Sequence, residues 1–180
     1  MTFIRFFNRS PNPFDDPDHK DFETLTKSYF EPRANEDGRP SFFLNEDGYL
    51  ERIVAGFIAI KRDAPENQRL IFISKEVFVN SNITITLQTV DGLFSCIASL
   101  HYCADFNPSE SLEKFISELK NSLSKKLNKE YLYQYNKSAY RKILYDTHKN
   151  HPSYEKEYCS QWVVSFIEAK IKEEEERTSP

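Results

Sequence analysis

Strand-like hydrophobic patterns fill the middle of the chain, over 41–103, and helical spacing of three to four marks 17–30 and the stretch beyond 107. The clearest short period is at Ile83, Ile85 and Leu87, which alternate with Thr84, Thr86 and Gln88 and lead into Val90-Asp91-Gly92-Leu93. Alternation resumes beyond that pair, with Phe94, Cys96, Ala98, Leu100 and Tyr102 on one face. Gly tolerates the positive φ of a tight turn, so the pattern predicts a β-hairpin over 83–103 around which the rest packs.

The other strand-like stretches are short. Ser41–Leu44 lies between two copies of Asn-Glu-Asp-Gly, at 35–38 and 45–48, each read as a turn. A calcium loop would need further oxygen ligands and a closing Glu that neither copy supplies. The run Ile53 to Ile60 is unbroken and β-branched, which predicts a central strand buried on both faces, with Gly56 marking a bulge or a close approach. Asp63–Asn67 reads as a loop. Arg69–Ser74 and Glu76–Val79 read as strands or one bent strand.

Helical signals bracket this region. Asp16-Pro17 suggests an N-cap and first helical position, with Phe22, Leu25 and Tyr29 along one face and Pro32 ending the helix near Phe30. Asn107-Pro108-Ser109-Glu110 opens a longer helix with Leu112, Phe115, Ile116, Leu119, Leu123 and Leu127 as its stripe. A second is expected over Tyr131–His148, with Leu132, Tyr135, Ala139 and Ile143 inward. A third follows His151-Pro152, carrying Tyr154, Tyr158, Trp162, Phe166 and Ile167. Strands followed by helices indicate an α+β class. The expected architecture is a mostly antiparallel sheet of five or six strands, a short N-terminal helix, and three C-terminal helices packed on one face. Residues 1–180 are expected to form a single domain, with 1–15 an irregular segment whose Phe3, Phe6, Phe7 and Phe14 dock on the domain. The acidic tail 168–180 is expected to fray, since carboxylates at a helix C-terminus oppose its dipole.

Composition adds that the core is aromatic: 15 Phe and 10 Tyr stand against one Met and four Gly. Cys96, Cys103 and Cys159 are odd in number and lack metal-type spacing, which fits a reducing compartment. No run of 18 apolar residues occurs, so no membrane span is expected, and the N-terminus is too soon interrupted by charge for a secretory signal. The expected location is cytoplasmic, with no cofactor and no metal.

Charge is uneven. Residues 120–150 carry eight basic and two acidic side chains, a net of +6 within a chain whose net charge is −4. Lys120, Lys125, Lys126, Lys129, Lys137, Arg141, Lys142 and Lys149 are interleaved with Tyr131, Tyr133, Tyr135, Tyr140 and Tyr145. Tyr is favoured at interfaces because it joins apolar area to a hydrogen-bonding tip. The first functional expectation is therefore a non-enzymatic protein–protein interaction module of adaptor, inhibitor or toxin-neutralising type. Its candidate contacts are Tyr131, Tyr133, Lys137, Tyr140, Arg141 and Tyr145. Lysines on phosphates and tyrosines on bases would equally serve single-stranded nucleic acid, the second expectation.

Two weaker constellations remain. His101, Cys103 and Asp105 share one strand face with Ser95 and Ser99, which admits a small cysteine-dependent enzyme, although strand spacing keeps base and thiol apart. Asp146, His148 and His151 could converge on a metal only if the helix continued through the His-Pro break. Asp15, Asp16, Asp18 and His19 are accounted for by capping and solvation. P-loop, dinucleotide, nucleophile-elbow, zincin and Cys-x-x-Cys motifs do not occur in the sequence.

Overall fold

The computed structural model describes residues 1–7, 12–31, 39–88, 94–106, 109–126, 129–150 and 156–178. The fold is α+β, built on a six-stranded antiparallel sheet with three helices at the C-terminal end. Its contacts divide into two compact units. The first comprises Met1–Glu46, Arg69–Thr89 and Leu100–Gln134; the second comprises Asp47–Gln68, Val90–Ser99 and Tyr135–Pro180.

The first unit is organised on β1 (Thr2–Phe7), not on the expected hairpin. β1 pairs with β2 (Ser41–Asn45) through Phe3↔Leu44 and with β3 (Asn67–Ser74) through Phe3↔Ile73, both antiparallel. With β4 (Ile85–Leu87), β5 (His101–Ala104) and β6 (Leu132–Asn136), the order is β4-β5-β2-β1-β3-β6. The N-terminal segment is thus a strand where sequence suggests irregular chain. Its residues 3–7 are buried, so the sequence shows no period of two. The docking expected of its phenylalanines holds: Phe3, Phe6, Phe7 and Phe14 are all buried.

The hairpin is only partly realised. Ile85 pairs with Ala104 and Leu87 with Tyr102, but β4 is a three-residue strand at the sheet edge, and Leu87 is 55% exposed. Between the strands, α4 (Ser95–Ala98) replaces the expected return strand. The Asp91-Gly92 turn lies outside the described residues, as do the copy at 35–38, Pro32, the cap at Asn107-Pro108, Leu127, His151-Pro152 and Tyr154.

One sheet face in this unit is closed by aromatic side chains. Phe7 meets Phe14 at 5.0 Å between ring centroids, Phe42 meets Phe78 at 5.2 Å, and Phe30 meets Phe115 at 5.0 Å. Phe30 belongs to α1 (Phe22–Phe30), which starts later than expected, with Asp21 at its N-cap. Asp16 instead accepts from the Asp18 amide at 3.2 Å in a preceding turn. Phe78 belongs to α3 (Lys75–Asn80), where a second strand or a strand continuation is expected. The Ser74 hydroxyl caps it through the Glu76 amide, and Asn82 takes a left-handed φ of 57° just beyond it. Phe115 belongs to α5 (Ser109–Ser124), where Leu112, Ile116, Leu119 and Leu123 are also buried, as the stripe requires.

The second unit is helical. Its centre is α2 (Leu50–Ala59), which replaces the strand expected over 53–60. Ile53, Val54, Ala55, Gly56, Ile58 and Ala59 are all buried, so most sides of this helix need apolar residues and the polar half of a 3.6 period is missing. The loop at 63–66 follows as expected. α6 (Lys137–Asn150) packs on α2, and α7 (Gln161–Thr178) packs on α6. Tyr140 is fully buried, and its hydroxyl donates to the Pro65 carbonyl. The indole of Trp162 donates to the Lys61 carbonyl at 2.7 Å. The second C-terminal helix therefore starts at Lys137 rather than Tyr131. Leu132-Tyr-Gln-Tyr-Asn136 is a strand, and Asn136 caps the helix through the Ala139 amide at 2.9 Å. Among the described residues, no helix is long and apolar enough to cross a membrane.

Candidate functional site

A helix projects every fourth residue from nearly the same face. On α6 this brings Lys137, Arg141 and Tyr145 into line, with Lys149 one turn further. The same face meets α7. Tyr140 lies 6.4 Å from Trp162 between ring centroids, Arg141 lies over Phe166, and Lys149 pairs with Glu174. Partners advance together along both chains, so the two helices run in the same direction.

Two open clefts of about 580 Å³ each follow this seam and share Tyr145. The one toward the helix N-termini is lined by Lys137, Ser138, Arg141, Lys142, Phe166 and Lys170 besides Tyr145. The one toward the C-termini is lined by His148, Lys149, Ile171, Glu174, Glu175 and Thr178. The first is cationic and the second mixed.

The cations of the first cleft differ in how they are held. Lys137 pairs with Glu66 at 2.9 Å, and Lys170 pairs with Glu173 three residues along its own helix. The Arg141 guanidinium carbon sits 5.2 Å from the Phe166 ring centroid, a cation–π contact. Neither Arg141 nor the exposed Lys142 forms an ion pair with any described residue, and the Arg141 Nε is buried without a hydrogen-bond acceptor among them. Two positive charges are therefore left without carboxylates among the described residues at this end.

The second cleft is locally neutralised. Lys149 and Glu174 pair at 3.0 Å. Hydrogen bonds from Lys149 and Tyr145 lower the Glu174 pKa, and the bond to Glu174 raises that of Lys149. The Tyr145 phenol is raised first by burial and then by its bond to Glu174.

The six candidate contact residues do not form one surface. Lys137, Arg141 and Tyr145 line the cationic cleft. Tyr131 is 2% exposed and donates to the Phe14 carbonyl at 3.1 Å. Tyr140 is buried against Trp162. These two are core anchors rather than surface contacts, because a buried phenol needs its hydroxyl partner inside the protein. Tyr133 is 44% exposed on β6, with its ring edge on Phe72. Sequence reasoning missed Ser138, Phe166 and Lys170 as site residues. The Phe166–Lys170 spacing of four was the available signal, hidden by reading Phe166 as core stripe.

His101 and Cys103 are each 4% exposed and line neither cleft; the imidazole Nδ1 lies 2.8 Å from the Gln88 carbonyl and the ring packs on Phe43. Ser95, expected beside them, belongs to α4. His148 lines the mixed cleft, whereas His151 is outside the described residues. Among the described residues, no group of three or more His, Cys, Asp and Glu side chains is placed to hold a metal ion. Asp15, Asp16 and Asp18 contribute to a raised Tyr131 pKa, after the larger effect of burial.

No family model, no curated protein and no solved structure matches this chain.

Proposed function

We propose that the chain is a non-enzymatic protein-interaction module whose contact surface is the cationic cleft between α6 and α7. The observation that supports this reading is the pairing of two uncompensated cations, Arg141 and Lys142, with the half-buried rings of Tyr145 and Phe166. Such a surface suits a protein segment that brings an anionic group together with apolar atoms. The aromatic walls supply desolvated area, and the cations steer encounter and fix register. The compartment of this reading is the cytoplasm, where Cys103 and Cys159 would remain thiols.

Nucleic acid is the competing ligand for the same cations. It is disfavoured because Tyr131 and Tyr140, two of the five tyrosines in the basic segment, are buried and unavailable for stacking.

The test is capture from native extract by tagged wild-type chain and by R141E/K142E, with and without nuclease. A protein captured by the wild type despite nuclease, and lost with the double variant, is the expected result. Capture that vanishes on nuclease treatment would overturn the reading in favour of nucleic acid. A partner held equally by both forms would move the contact surface elsewhere.

A further inference from the structure

Resting on the protein-interaction reading, we propose that the cationic cleft recognises a phosphorylated side chain of the partner. The cleft's unbalanced charge points to the ligand's own charge. Of its four cations, Lys137 and Lys170 already face carboxylates, which leaves Arg141 and Lys142. A single Asp or Glu would neutralise one of them. A phosphate monoester carries about −1.5 to −2 charges at neutral pH and matches both.

The donors present suit the same group. Arg141 lies over the Phe166 ring, and its guanidinium, which lines the cleft, forms no ion pair with a described residue. Planar guanidinium forks pair with phosphate oxygens two at a time. Lys142 adds an exposed ammonium from the next position on α6. Ser138 lines the cleft in the first turn of this 14-residue helix, where the dipole is positive and favours an anion. Tyr145 and Phe166 give the carbon part of the phosphorylated side chain an apolar wall.

The probes are phenyl phosphate and O-phosphoserine, with benzoate as a monoanion of similar bulk and inorganic phosphate as the bare ion. Each is titrated into the full chain and followed by amide chemical shifts. The two esters are expected to bind about tenfold more tightly than benzoate. Their affinity should rise between pH 5 and 7.5 as the second phosphate proton leaves near pH 6, while benzoate stays flat. K142E, at an exposed position that does not threaten folding, should weaken both esters by about tenfold. Benzoate binding as tightly as the esters, or no perturbation at α6 and α7 with any probe, would overturn the proposal. Inorganic phosphate matching both esters would overturn the side-chain assignment and leave an ion site. Phosphatase treatment of the extract separates this inference from the broader reading. A partner lost with R141E/K142E yet retained after phosphatase sinks the phosphate assignment alone.

Discussion

A methyl group placed on Gly56 would stand 2.5 Å from Cδ1 of Ile97, inside the packing of α2 against α4. The glycine is there for close approach, since its φ lies in the helical region. Gly56→Ala gains about 1 kcal/mol of helix propensity and pays about 1–3 kcal/mol for overpacking a site where Ile97 is fully buried. The expected outcome is a net loss of about 1 kcal/mol in urea unfolding. Ile97→Val removes the clashing methyl, so G56A/I97V should recover most of that loss in a double-mutant cycle. Additive effects would show that the two residues do not press on one another.

The same contact shows where the sequence was legible and where it was not. The possibility of close approach at Gly56 was readable, but the element around it was not. A helix buried on most sides and a strand buried on both sides print the same apolar run. β1 was hidden for a related reason: Thr2–Phe7 is an interior strand, buried from Phe3 onward, and has no polar alternation to reveal it. Where one face stays wet the reading worked. α5 carries its stripe as expected, and β2 sits where two turn signals bracket it. The 83–103 hairpin failed in its second half because alternation of small and apolar residues over 94–100 does not exclude a helical turn. At the candidate site, residue type picked out the basic segment, three of whose six candidate residues line the cationic cleft. Which of its tyrosines face outward depends on tertiary contacts such as Tyr131 with Phe14, 117 positions apart, which no local pattern encodes.

Arg5 is a charged side chain in the middle of the sheet. It is 4% exposed, donates to the carbonyls of Ser41 at 2.8 Å and Tyr29 at 3.2 Å, and lies over the Phe42 ring. Arg5→Met keeps the length of the stem but leaves both carbonyls without this donor. A loss of about 3 kcal/mol in stability is expected. Arg5→Lys, a single ammonium on a flexible stem, should recover only part of it. Chemical denaturation of the three forms decides this, and equal stability of Arg5→Met and wild type would show that the carbonyls find other donors.

Tyr131→Phe removes one hydroxyl and leaves the Phe14 carbonyl short of a donor in a buried site. The expected cost is about 1 kcal/mol, which lowers Tm by roughly 2–4 °C for a chain of this size. Tyr133→Phe, on the exposed ring two residues further along in β6, should leave Tm unchanged. Calorimetry on the pair therefore separates a core anchor from a surface ring.

Alkaline pH provides the last test of which phenols are inside. Burial raises the pKa of both Tyr131 and Tyr140 above the ordinary 10.0. Asp15, Asp16 and Asp18 add to the effect at Tyr131, whereas Arg141 and Lys137 partly oppose it at Tyr140. In the unfolded chain each phenol loses its proton near pH 10, while in the folded chain it holds the proton to higher pH. Between those values the folded state binds more protons than the unfolded state, so stability falls as pH rises. The contribution is fully present below pH 10 and is lost as pH passes through the folded values. Denaturant unfolding from pH 9 to 11 should thus show stability declining with a slope that includes both tyrosines. Y131F and Y140F, although less stable at neutral pH, should each flatten that slope by up to one proton. A slope unaffected by Y131F and Y140F would mean that both hydroxyls reach water in the folded protein.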